Sequence, residues 1–389
     1  MILLSLASKQ IWPQILAVHH LQPARVILLH SDDANESRMP AQRLKRFFDK
    51  HGPMGQGQAQ MEPLSDSDFA SIEKRLDALL SHHSWNLSGC VLNITGGNKL
   101  MATAAFRWAA QRGVRTFYLE RRNKITWFDF LDGETLTTAD SVDGHIADTL
   151  DPVALLRCQV DASEVEREGE RLTLNPTGAA MEEGTLFKQL NGGADASGFL
   201  EVAGIADADK KKGDALELTT AVVLLKLGVQ NIQRSLRLKV KSAAGVGTRL
   251  PHAEIDLLFS WGGKLWLVDC KDRKSAESLV EGLQRELSRI RLSPQAEELL
   301  TRIHKELSIG QTKVMKEDLL AIRETGGLLG QVVCVRKAGQ PDEVRQYAAH
   351  NRIEIIQKNE LVDRWRSLLF PDRPPDLNQL ADLAKTFAR

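Results

Sequence analysis

The first 140 residues alternate short apolar runs with stretches in which apolar positions recur at helical spacing. The apolar runs predict strands at Ile2–Leu6, Arg25–His30, Cys90–Ile94, Val114–Glu120 and Ile125–Phe130. The helical spacing predicts helices at Ile11–Leu21, Arg38–Lys50, Phe69–Leu80 and Leu100–Arg112. Strands that alternate with helices in this way predict a mostly parallel, doubly wound α/β sheet.

The pattern weakens from Ser141 to about Asp209, and this stretch is interpreted as a connector with one or two small elements. A second α/β pattern begins near Gly213 with a helix. The further elements expected there are strands near Asn231–Val240, Gly330–Arg336 and Arg352–Ile356, helices at Lys274–Leu292, Glu297–Leu307, Lys316–Arg323 and Glu343–His350, and a hairpin between them. The sequence therefore predicts two α/β domains.

Composition supports two domains and narrows the class of protein. A chain of 389 residues exceeds the size of one ordinary domain. The 51 basic and 51 acidic residues give no net charge, so any surface that binds nucleic acid must be local. No apolar run is long enough to span a membrane. The cysteines are widely spaced without a C-x-x-C pair, which is typical of reduced thiols in a cytoplasmic protein; they are Cys90, Cys158, Cys270 and Cys334.

The segment Asn93–Met101 contains the sequence Thr95-Gly96-Gly97-Asn98-Lys99 between a predicted strand and a predicted helix. In open α/β sheets, ligands bind at the carboxyl ends of strands, and helix N-termini favour anions. Thr95 and Asn98 are expected to hydrogen-bond a ribose or phosphate, and Lys99 to add a cation. The spacing is not that of a P-loop. A plain strand-to-helix turn with an N-cap residue is the alternative.

A polar loop follows the first predicted strand in place of a G-x-G-x-x-G motif. It contains Ser8, Lys9 and Gln10, which lie at the carboxyl end of that strand. Because the carboxyl ends of parallel strands share one edge of the sheet, these side chains are expected to reach the same crevice as the Thr95–Lys99 segment.

Two neighbouring stretches, Pro251–Asp256 and Lys264–Lys271, have the pattern of apolar strands that carry acidic residues. The gap between them is short and contains Gly262-Gly263, which is a hairpin turn signal. The strands are therefore expected to be antiparallel neighbours, with their carboxylates close together.

The charged residues of this hairpin have the spacing of a metal site. Side chains at positions i and i+2 of a strand share a face, so Glu254 and Asp256 point one way, and Asp269 and Lys271 share a face in the same manner. Two close carboxylates repel unless a cation lies between them, and oxygen ligands suit Mg²⁺ or Mn²⁺. The pattern predicts a metal-dependent phosphodiesterase site, in which the lysine orients water or stabilises phosphate charge. A surface hairpin ending in an Asp–Lys ion pair is the alternative.

This hairpin resembles the PD-(D/E)xK nuclease superfamily. Asp256 matches its first acidic residue, and Asp269-Cys270-Lys271 matches its second motif. The resemblance implies that Asp256, Asp269 and the Cys270 carbonyl hold Mn²⁺ or Mg²⁺ while Lys271 orients the attacking water. It also implies that a helix before the sheet supplies Glu217, which completes or tunes the metal site.

The resemblance leaves the roles of several other residues open. Glu254 either joins the metal site or supports its ligands. Arg273 and Lys274 either contact a nucleic-acid backbone or are ordinary solvated charges. Gln284 lies one predicted helix downstream, where some relatives place a polar helper.

With the Thr95–Lys99 segment included, the chain resembles the CRISPR ancillary nucleases of type III systems, the Card/Can group. These join a CRISPR-associated Rossmann-fold (CARF) domain to a PD-(D/E)xK nuclease domain. The resemblance implies an N-terminal Rossmann-like CARF domain over residues 1–140, a connector over 141–209 and a C-terminal restriction-endonuclease-like α/β domain over 210–389. The group usually has Glu where Asp269 stands and often Thr where Asn98 stands.

The resemblance also implies an activator and a substrate. A cyclic oligoadenylate binds across a homodimer of CARF domains and activates the nuclease domains; the ring is usually cyclic tetra-adenylate, with cyclic hexa-adenylate the alternative. The implied binding residues are Ser8, Lys9, Gln10, Thr95, Gly96, Gly97, Asn98 and Lys99. The substrate is single-stranded RNA or DNA, or duplex DNA that is nicked.

Three other interpretations remain. Arg345 and His350 fit the R-x₄-H pattern of metal-independent HEPN ribonucleases, although predicted strands flank this helix. A CARF-type sensor or transcription regulator with an inactive nuclease domain is the second, and the intact Asp256, Asp269, Lys271 and Glu217 count against it. A repair or restriction nuclease without nucleotide control is the third.

Overall fold

The computed structural model describes residues 1–64, 68–83, 85–120, 123–159, 165–167, 169–203, 214–238, 254–271, 294–326, 330–337 and 340–371. The chain divides into two compact units. Unit 1 comprises Met1–Ser163 together with Ser260–Leu265, and unit 2 comprises Glu164–Phe259 and Trp266–Arg389.

Unit 1 is built around a seven-stranded sheet. Its strands are β1 (Ile2–Leu6), β2 (Arg25–His30), β3 (Ala59–Pro63), β4 (Cys90–Asn93), β5 (Thr116–Leu119), β6 (Lys124–Leu131) and β7 (Glu134–Ser141). Its helices are α1 (Trp12–Leu21), α2 (Met39–His51), α3 (Phe69–His83), α4 (Lys99–Arg112) and α5 (Pro152–Gln159). The spatial strand order is β3-β2-β1-β4-β5-β6-β7.

The first five strands are parallel, and β6 and β7 are antiparallel additions. From β1 the chain passes to β2 on one side, whereas β4 pairs with β1 on the other. The gap between β1 and β4 is therefore the switch point of the sheet, where ligands bind in folds of this kind.

The core of unit 1 forms because the parallel strands are apolar on both faces and bury them under helices. Leu4, Leu6 and Leu92 from the sheet pack with Ile72 of α3 and Trp108 of α4 in one cluster of buried residues. This packing fixes the strand ends that carry the polar loops.

Unit 2 contains an eight-stranded sheet. Its strands are β8 (Val165–Arg167), β9 (Glu170–Leu174), β10 (Leu200–Ala203), β11 (Ile232–Leu238), β12 (Glu254–Trp261), β13 (Lys264–Lys271), β14 (Gly330–Arg336) and β15 (Ile353–Gln357). Its helices are α6 (Pro176–Ala180), α7 (Glu183–Asn191), α8 (Asp214–Lys226), α9 (Pro294–Gly326), α10 (Asp342–His350) and α11 (Leu361–Leu369). The order is β10-β9-β11-β12-β13-β14-β15, and β8 also pairs with β11.

The predicted hairpin is present as β12 and β13, which are neighbours in this sheet and are joined by Gly262-Gly263. Both glycines have positive φ, +58° and +75°, as a tight two-residue hairpin turn requires. So short a connection makes the strands antiparallel, since parallel strands need a long crossover. The prediction of an antiparallel hairpin is confirmed.

Most predicted elements of the first 140 residues are confirmed within two or three residues at each end. Two strands were missed. β3 is only half-buried, and every residue of β7 is exposed, so neither has the apolar run by which strands are recognised in sequence.

The stretch 141–209 differs from the expected connector. It holds α5 in unit 1 and β8, β9, α6, α7 and β10 in unit 2. These elements are short, and the side chains of β9 alternate between buried and exposed, so the sequence signal is weak. The helix expected at 274–292, with Lys274 and Gln284, and the neighbouring Arg273 lie outside the described residues.

Candidate functional sites

The loops after β1 and β4 meet at the switch point of the unit 1 sheet. The Gly97 N–H donates to the Ala7 carbonyl at 3.2 Å, which ties the second loop to the first. A Cβ on Gly96 would lie 1.9 Å from the Leu6 carbonyl oxygen, and Gly97 has a φ of +74°. Both positions require glycine, because one permits close backbone approach and the other a left-handed conformation. The glycines predicted from sequence therefore shape this crevice.

Two of the predicted ligand-binding side chains also have structural roles. The Thr95 hydroxyl oxygen accepts from the Leu119 N–H at 2.8 Å. The Asn98 Oδ1 accepts from the Met101 N–H at 2.8 Å and caps the N-terminus of α4. The turn with an N-cap is thus present, and it orients the loop. The Thr95 O–H and the Asn98 NH₂ group are the donors that these side chains can offer to a ligand.

The cationic and polar groups of the crevice lie on both loops. Lys99 is exposed at the first residue of α4. Lys9 is exposed and forms an ion pair with Glu36, and the Ser8 hydroxyl oxygen accepts from the Gln10 N–H at 3.3 Å. The topology brings all eight predicted residues to the carboxyl ends of β1 and β4, next to a helix N-terminus that favours an anion.

Gln14 is a residue of this crevice that the sequence analysis missed. Its side chain is fully buried on α1, and its Nε2 donates to the Leu6 carbonyl at 2.7 Å, directly beneath Gly96. A glutamine among the apolar residues at the start of α1 was the available signal. It holds the end of β1 against the glycine loop.

In unit 2, the predicted acidic residues meet on β12 and β13. Asp256 and Asp269 are 8% and 2% exposed, and the Asp256 Oδ2 accepts from the Cys270 N–H at 2.6 Å. Lys271 Nζ lies 2.7 Å from Asp269 Oδ1. The predicted Asp–Lys pair is therefore present, with Asp269 buried and Lys271 half-buried. Glu254 is half-buried at the start of β12, and its charge acts on Asp256.

Electrostatics distinguish the two aspartates. Burial, together with the negative charge of Asp269, raises the pKa of Asp256 to about 6. Burial acts the same way on Asp269, but the charges of Arg336 and Lys271 outweigh it and lower the pKa of Asp269. Burial alone would lower the pKa of Lys271, yet the charges of Asp269 and Asp256 raise it above its ordinary value. Asp269 and Lys271 are thus held charged at neutral pH.

Arg336 is a buried partner that the sequence analysis missed. It lies at the end of β14, next to β13, and its side chain is 8% exposed. Its Nη1 donates to Asp269 Oδ2 at 2.7 Å and to the Asp269 carbonyl at 3.3 Å. An arginine that closes an apolar strand was the only signal in the sequence. Asp269 therefore has a cation on each carboxylate oxygen.

Glu217 on α8 pairs with an arginine that the sequence analysis did not identify. The Arg234 Nε of β11 lies 3.2 Å from Glu217 Oε2, and the Arg234 Nη1 lies 3.1 Å from Glu170 Oε2. All three side chains are at most 8% exposed. Glu217 still acts electrostatically on the Cys270 thiol, so α8 packs near the triplet. A buried Glu–Arg–Glu bridge therefore supports this side of the site.

The oxygen atoms of Asp256, Asp269 and the Cys270 carbonyl supply part of the ligand set that a hard divalent cation needs. Among the described residues, no group of three or more His, Cys, Asp or Glu side chains is placed to hold one metal ion. Burial holds the pKa of the Cys270 thiol well above its usual range, so only its backbone carbonyl offers a hard ligand. Two carboxylates and a carbonyl fit Mg²⁺ or Mn²⁺, because such ions keep several waters and also bind substrate phosphates. The repulsion between Asp256 and Asp269 is the interaction that a cation would relieve.

The R-x₄-H pair lies on α10 between two strands of the unit 2 sheet. Both Arg345 and His350 are exposed, and Arg345 Nη2 is 3.5 Å from Asp342 Oδ1. This is the setting that the sequence predicted for the pair.

Within the described part of the chain, no helix combines the length and apolar character needed to cross a membrane.

Comparisons with known proteins agree with this architecture. Residues 2–141 match the family described as the Card1 CARF domain. No curated protein matches the chain in sequence.

Two solved structures are similar over nearly the whole chain. Can2 from Sulfobacillus thermosulfidooxidans, solved in complex with cyclic tetra-adenylate, is 16% identical with a TM-score of 0.54, covering 94% of this chain and 98% of Can2. Protein VC1899 from Vibrio cholerae is 12% identical with a TM-score of 0.52, covering 95% of this chain and 97% of VC1899. Residues 2–141 thus form a CARF domain with a Rossmann-like fold, followed by a C-terminal α/β domain.

Proposed function

We propose that this chain is a metal-dependent nuclease that a cyclic oligoadenylate activates, acting in type III CRISPR antiviral defence. The observation that carries the proposal is the buried pair of Asp256 and Asp269 beside Lys271, on adjacent strands of the α/β domain that follows a CARF domain. Because Can2 is similar in fold and is described bound to cyclic tetra-adenylate, that ring is the first activator to test.

The activator binds at the carboxyl ends of β1 and β4. The α4 N-terminus and Lys99 attract phosphate groups, while the Thr95 and Asn98 side chains offer donors to phosphate or ribose. A phosphate near Lys9 competes with Glu36 for that ammonium group. A cyclic ligand with two-fold symmetry fits a symmetric dimer, in which both protomers present the same crevice.

In the C-terminal domain, the Asp256 and Asp269 carboxylates and the Cys270 carbonyl hold Mn²⁺ or Mg²⁺. When bound, such an ion lowers the pKa of a coordinated water and neutralises phosphate charge. The Cys270 N–H fixes the orientation of Asp256, and Arg336 fixes that of Asp269. Glu217 either joins the ion or, through its pair with Arg234, supports the wall of the site.

Lys271 supplies the positive charge next to the reacting phosphodiester. Its raised pKa keeps the ammonium group charged at neutral pH, and its pair with Asp269 holds it in place. The ammonium group donates hydrogen bonds either to the attacking water or to a non-bridging phosphate oxygen, where negative charge increases in the transition state. Glu254, half-buried at the start of β12, either joins the metal site or supports its ligands.

The test is cleavage of fluorescent single-stranded RNA, single-stranded DNA and supercoiled plasmid in Mn²⁺, with and without cyclic tetra-adenylate. We expect cleavage only when both metal and activator are present. Asp269→Ala should abolish cleavage and keep activator binding, whereas Asp342→Ala, an exposed acid of the same unit, should cleave as the wild type. Lys99→Ala should weaken activator binding measured by direct titration.

The possible results of these experiments test the metal site, the activator and the nuclease activity separately. Wild-type cleavage by Asp269→Ala would contradict the metal-site assignment, and cleavage that survives EDTA would favour the R-x₄-H pair instead. Metal-dependent cleavage that ignores cyclic tetra-adenylate would call for cyclic hexa-adenylate. Activator binding without any cleavage would support a CARF-type sensor with an inactive nuclease domain.

A further inference from the structure

A small basic pocket lies between α2 and α5 in unit 1, away from the crevice at the strand ends. Its volume is about 130 Å³. The charged and titratable residues that line it are Arg43, Arg46, Lys50 and His51 of α2, Arg157 and Cys158 of α5, and Asp151. Four permanent cations therefore face one carboxylate in a chain whose net charge is zero.

The sequence places these cations on one face of α2. Arg43, Arg46 and Lys50 are at positions i, i+3 and i+7, which lie along the same side of a helix. Leu44 and Phe48 are buried on the opposite side of α2 and fix the helix against unit 1, whereas the buried Phe47 lines the pocket. Arg157 comes from the short helix α5, which packs against α2.

Among the described residues, the acids near the pocket do not neutralise the three cations of α2. Asp49 of α2 forms an ion pair with Lys45 at 2.5 Å, and neither residue lines the pocket. Asp151 is exposed, and its charge acts on His51. Among the described residues, the Arg43 Nε is buried and has no hydrogen-bond partner. A buried guanidinium N–H without an acceptor is costly, and it commonly indicates a bound ion or water.

The pocket is separate from the proposed activator site. α2 connects two parallel strands, β2 and β3, so it starts at their carboxyl ends and runs back toward their amino ends. Arg46, Lys50 and His51 lie in its second half. The Thr95–Lys99 segment lies at the carboxyl ends, on the other side of β1.

We propose that this pocket binds a phosphate group, with Arg43 and Arg157 as the inner donors and Arg46 and Lys50 at the exposed rim. Guanidinium groups bind phosphate oxygens through paired N–H donors, and the pocket volume suits one phosphate. The phosphate belongs either to a nucleic-acid backbone or to a free phosphate ion.

The experiment measures binding of a fluorescein-labelled twelve-nucleotide oligothymidylate to the full chain by anisotropy, in EDTA so that no cleavage occurs. Inorganic phosphate is added as a competitor, and its own binding is measured by calorimetry. The variants are Arg43→Gln/Arg157→Gln and the exposed pair Arg46→Gln/Lys50→Gln. The control Arg107→Gln/Arg112→Gln removes the same charge from α4, where both arginines pair with acids.

We expect each pocket variant to weaken binding at least tenfold and to reduce the slope of log affinity against log salt by about one to two, with the control within twofold of the wild type. A free-phosphate site would be identified by two results together. Millimolar phosphate would displace the oligonucleotide, and phosphate would also bind in calorimetry without the oligonucleotide. Oligonucleotide binding that phosphate does not displace would identify a backbone site. The proposal fails if the wild type binds neither probe, or if folded Arg46→Gln/Lys50→Gln binds both as the wild type does.

Discussion

The replacement of Arg336 by methionine tests whether the charge beside Asp269 stabilises the C-terminal domain. Methionine keeps an unbranched apolar stem of similar length and removes the guanidinium group. Arg336 is buried, and its donors reach the Asp269 carboxylate at 2.7 Å and the carbonyls of Asp269 and Val335 at 3.3 Å. The variant therefore leaves a buried carboxylate with one cation instead of two.

The expected magnitude follows from that geometry. Loss of one partner from a buried ion pair costs about 3–5 kcal/mol, because the remaining charge stays desolvated. Lys271 still pairs with Asp269 at 2.7 Å, so we expect the lower end, about 3 kcal/mol. In a domain of this size, such a loss lowers Tm by about 6–12 °C.

Differential scanning calorimetry of the full chain measures this effect, and a double-mutant cycle assigns it. Asp269→Asn removes the other charge, so Arg336→Met/Asp269→Asn should be less destabilised than the sum of the single variants by at least about 1 kcal/mol. Arg345→Met is the matched control, since its pair with Asp342 is exposed and should contribute at most about 0.5 kcal/mol.

A Tm for Arg336→Met within 1 °C of the wild type would refute the reasoning, because a buried charge would then have lost its partner without consequence. Strict additivity of the double variant would also refute it, since the destabilisation would then come from lost packing rather than from the pair with Asp269.

Three further changes test other parts of the structure. Arg234→Met should lower Tm by more than Arg336→Met, because it leaves the buried carboxylates of Glu170 and Glu217 facing each other. Asp148→Asn should raise the unfolding free energy at pH 8 by on the order of 2–3 kcal/mol. Burial raises the pKa of Asp148 from 3.8 to about 6, so the folded form binds more protons than the unfolded form between those values. The stability of the wild type therefore falls as pH rises through that window. Gly96→Ala should weaken cyclic tetra-adenylate binding at least tenfold in calorimetric titration, because its Cβ would meet the Leu6 carbonyl oxygen at 1.9 Å.

Each of these changes has a control and an outcome that would contradict it. The double variant Glu170→Gln/Arg234→Met should have a higher Tm than Arg234→Met alone. An equal Tm would show that repulsion between the two glutamates does not cause the loss. Asp132→Asn, at an exposed turn, is the matched control for Asp148→Asn; an equal effect of both variants would rule out burial as the cause. Gly89→Ala has open space around its Cβ and should bind the activator normally, so equal loss in both would contradict the crevice.

The elements of the CARF domain could be predicted from sequence because their signals are local. A buried parallel strand is a short apolar run, and an amphipathic helix repeats its apolar positions, so β1, β2, β4, α2 and α4 were recognisable. The glycines at 96 and 97 were recognisable as a turn between strand and helix. β7 gave no such signal, because it is exposed throughout and is stabilised by pairing with β6.

The hairpin of the C-terminal domain was also determined locally. The strand alternation places Asp269 and Lys271 on one face, and Gly262-Gly263 forms the turn between strands. Sequence spacing was therefore sufficient to predict that the acidic residues of β12 and β13 lie close together, as the hydrogen bond between Asp256 and the Cys270 N–H requires.

Only the tertiary structure decided which partners these groups have. Arg336 is 67 residues from Asp269 in the chain, and Arg234 is 64 from Glu170; no spacing rule relates positions so far apart. They meet because β14 lies beside β13 and β11 beside β9, and strand order depends on the packing of the whole sheet. The same holds for α2 and α5, which bring Arg43 and Arg157 to one pocket. The sequence determined the groups that carry charge, and the fold determined which of them are neutralised.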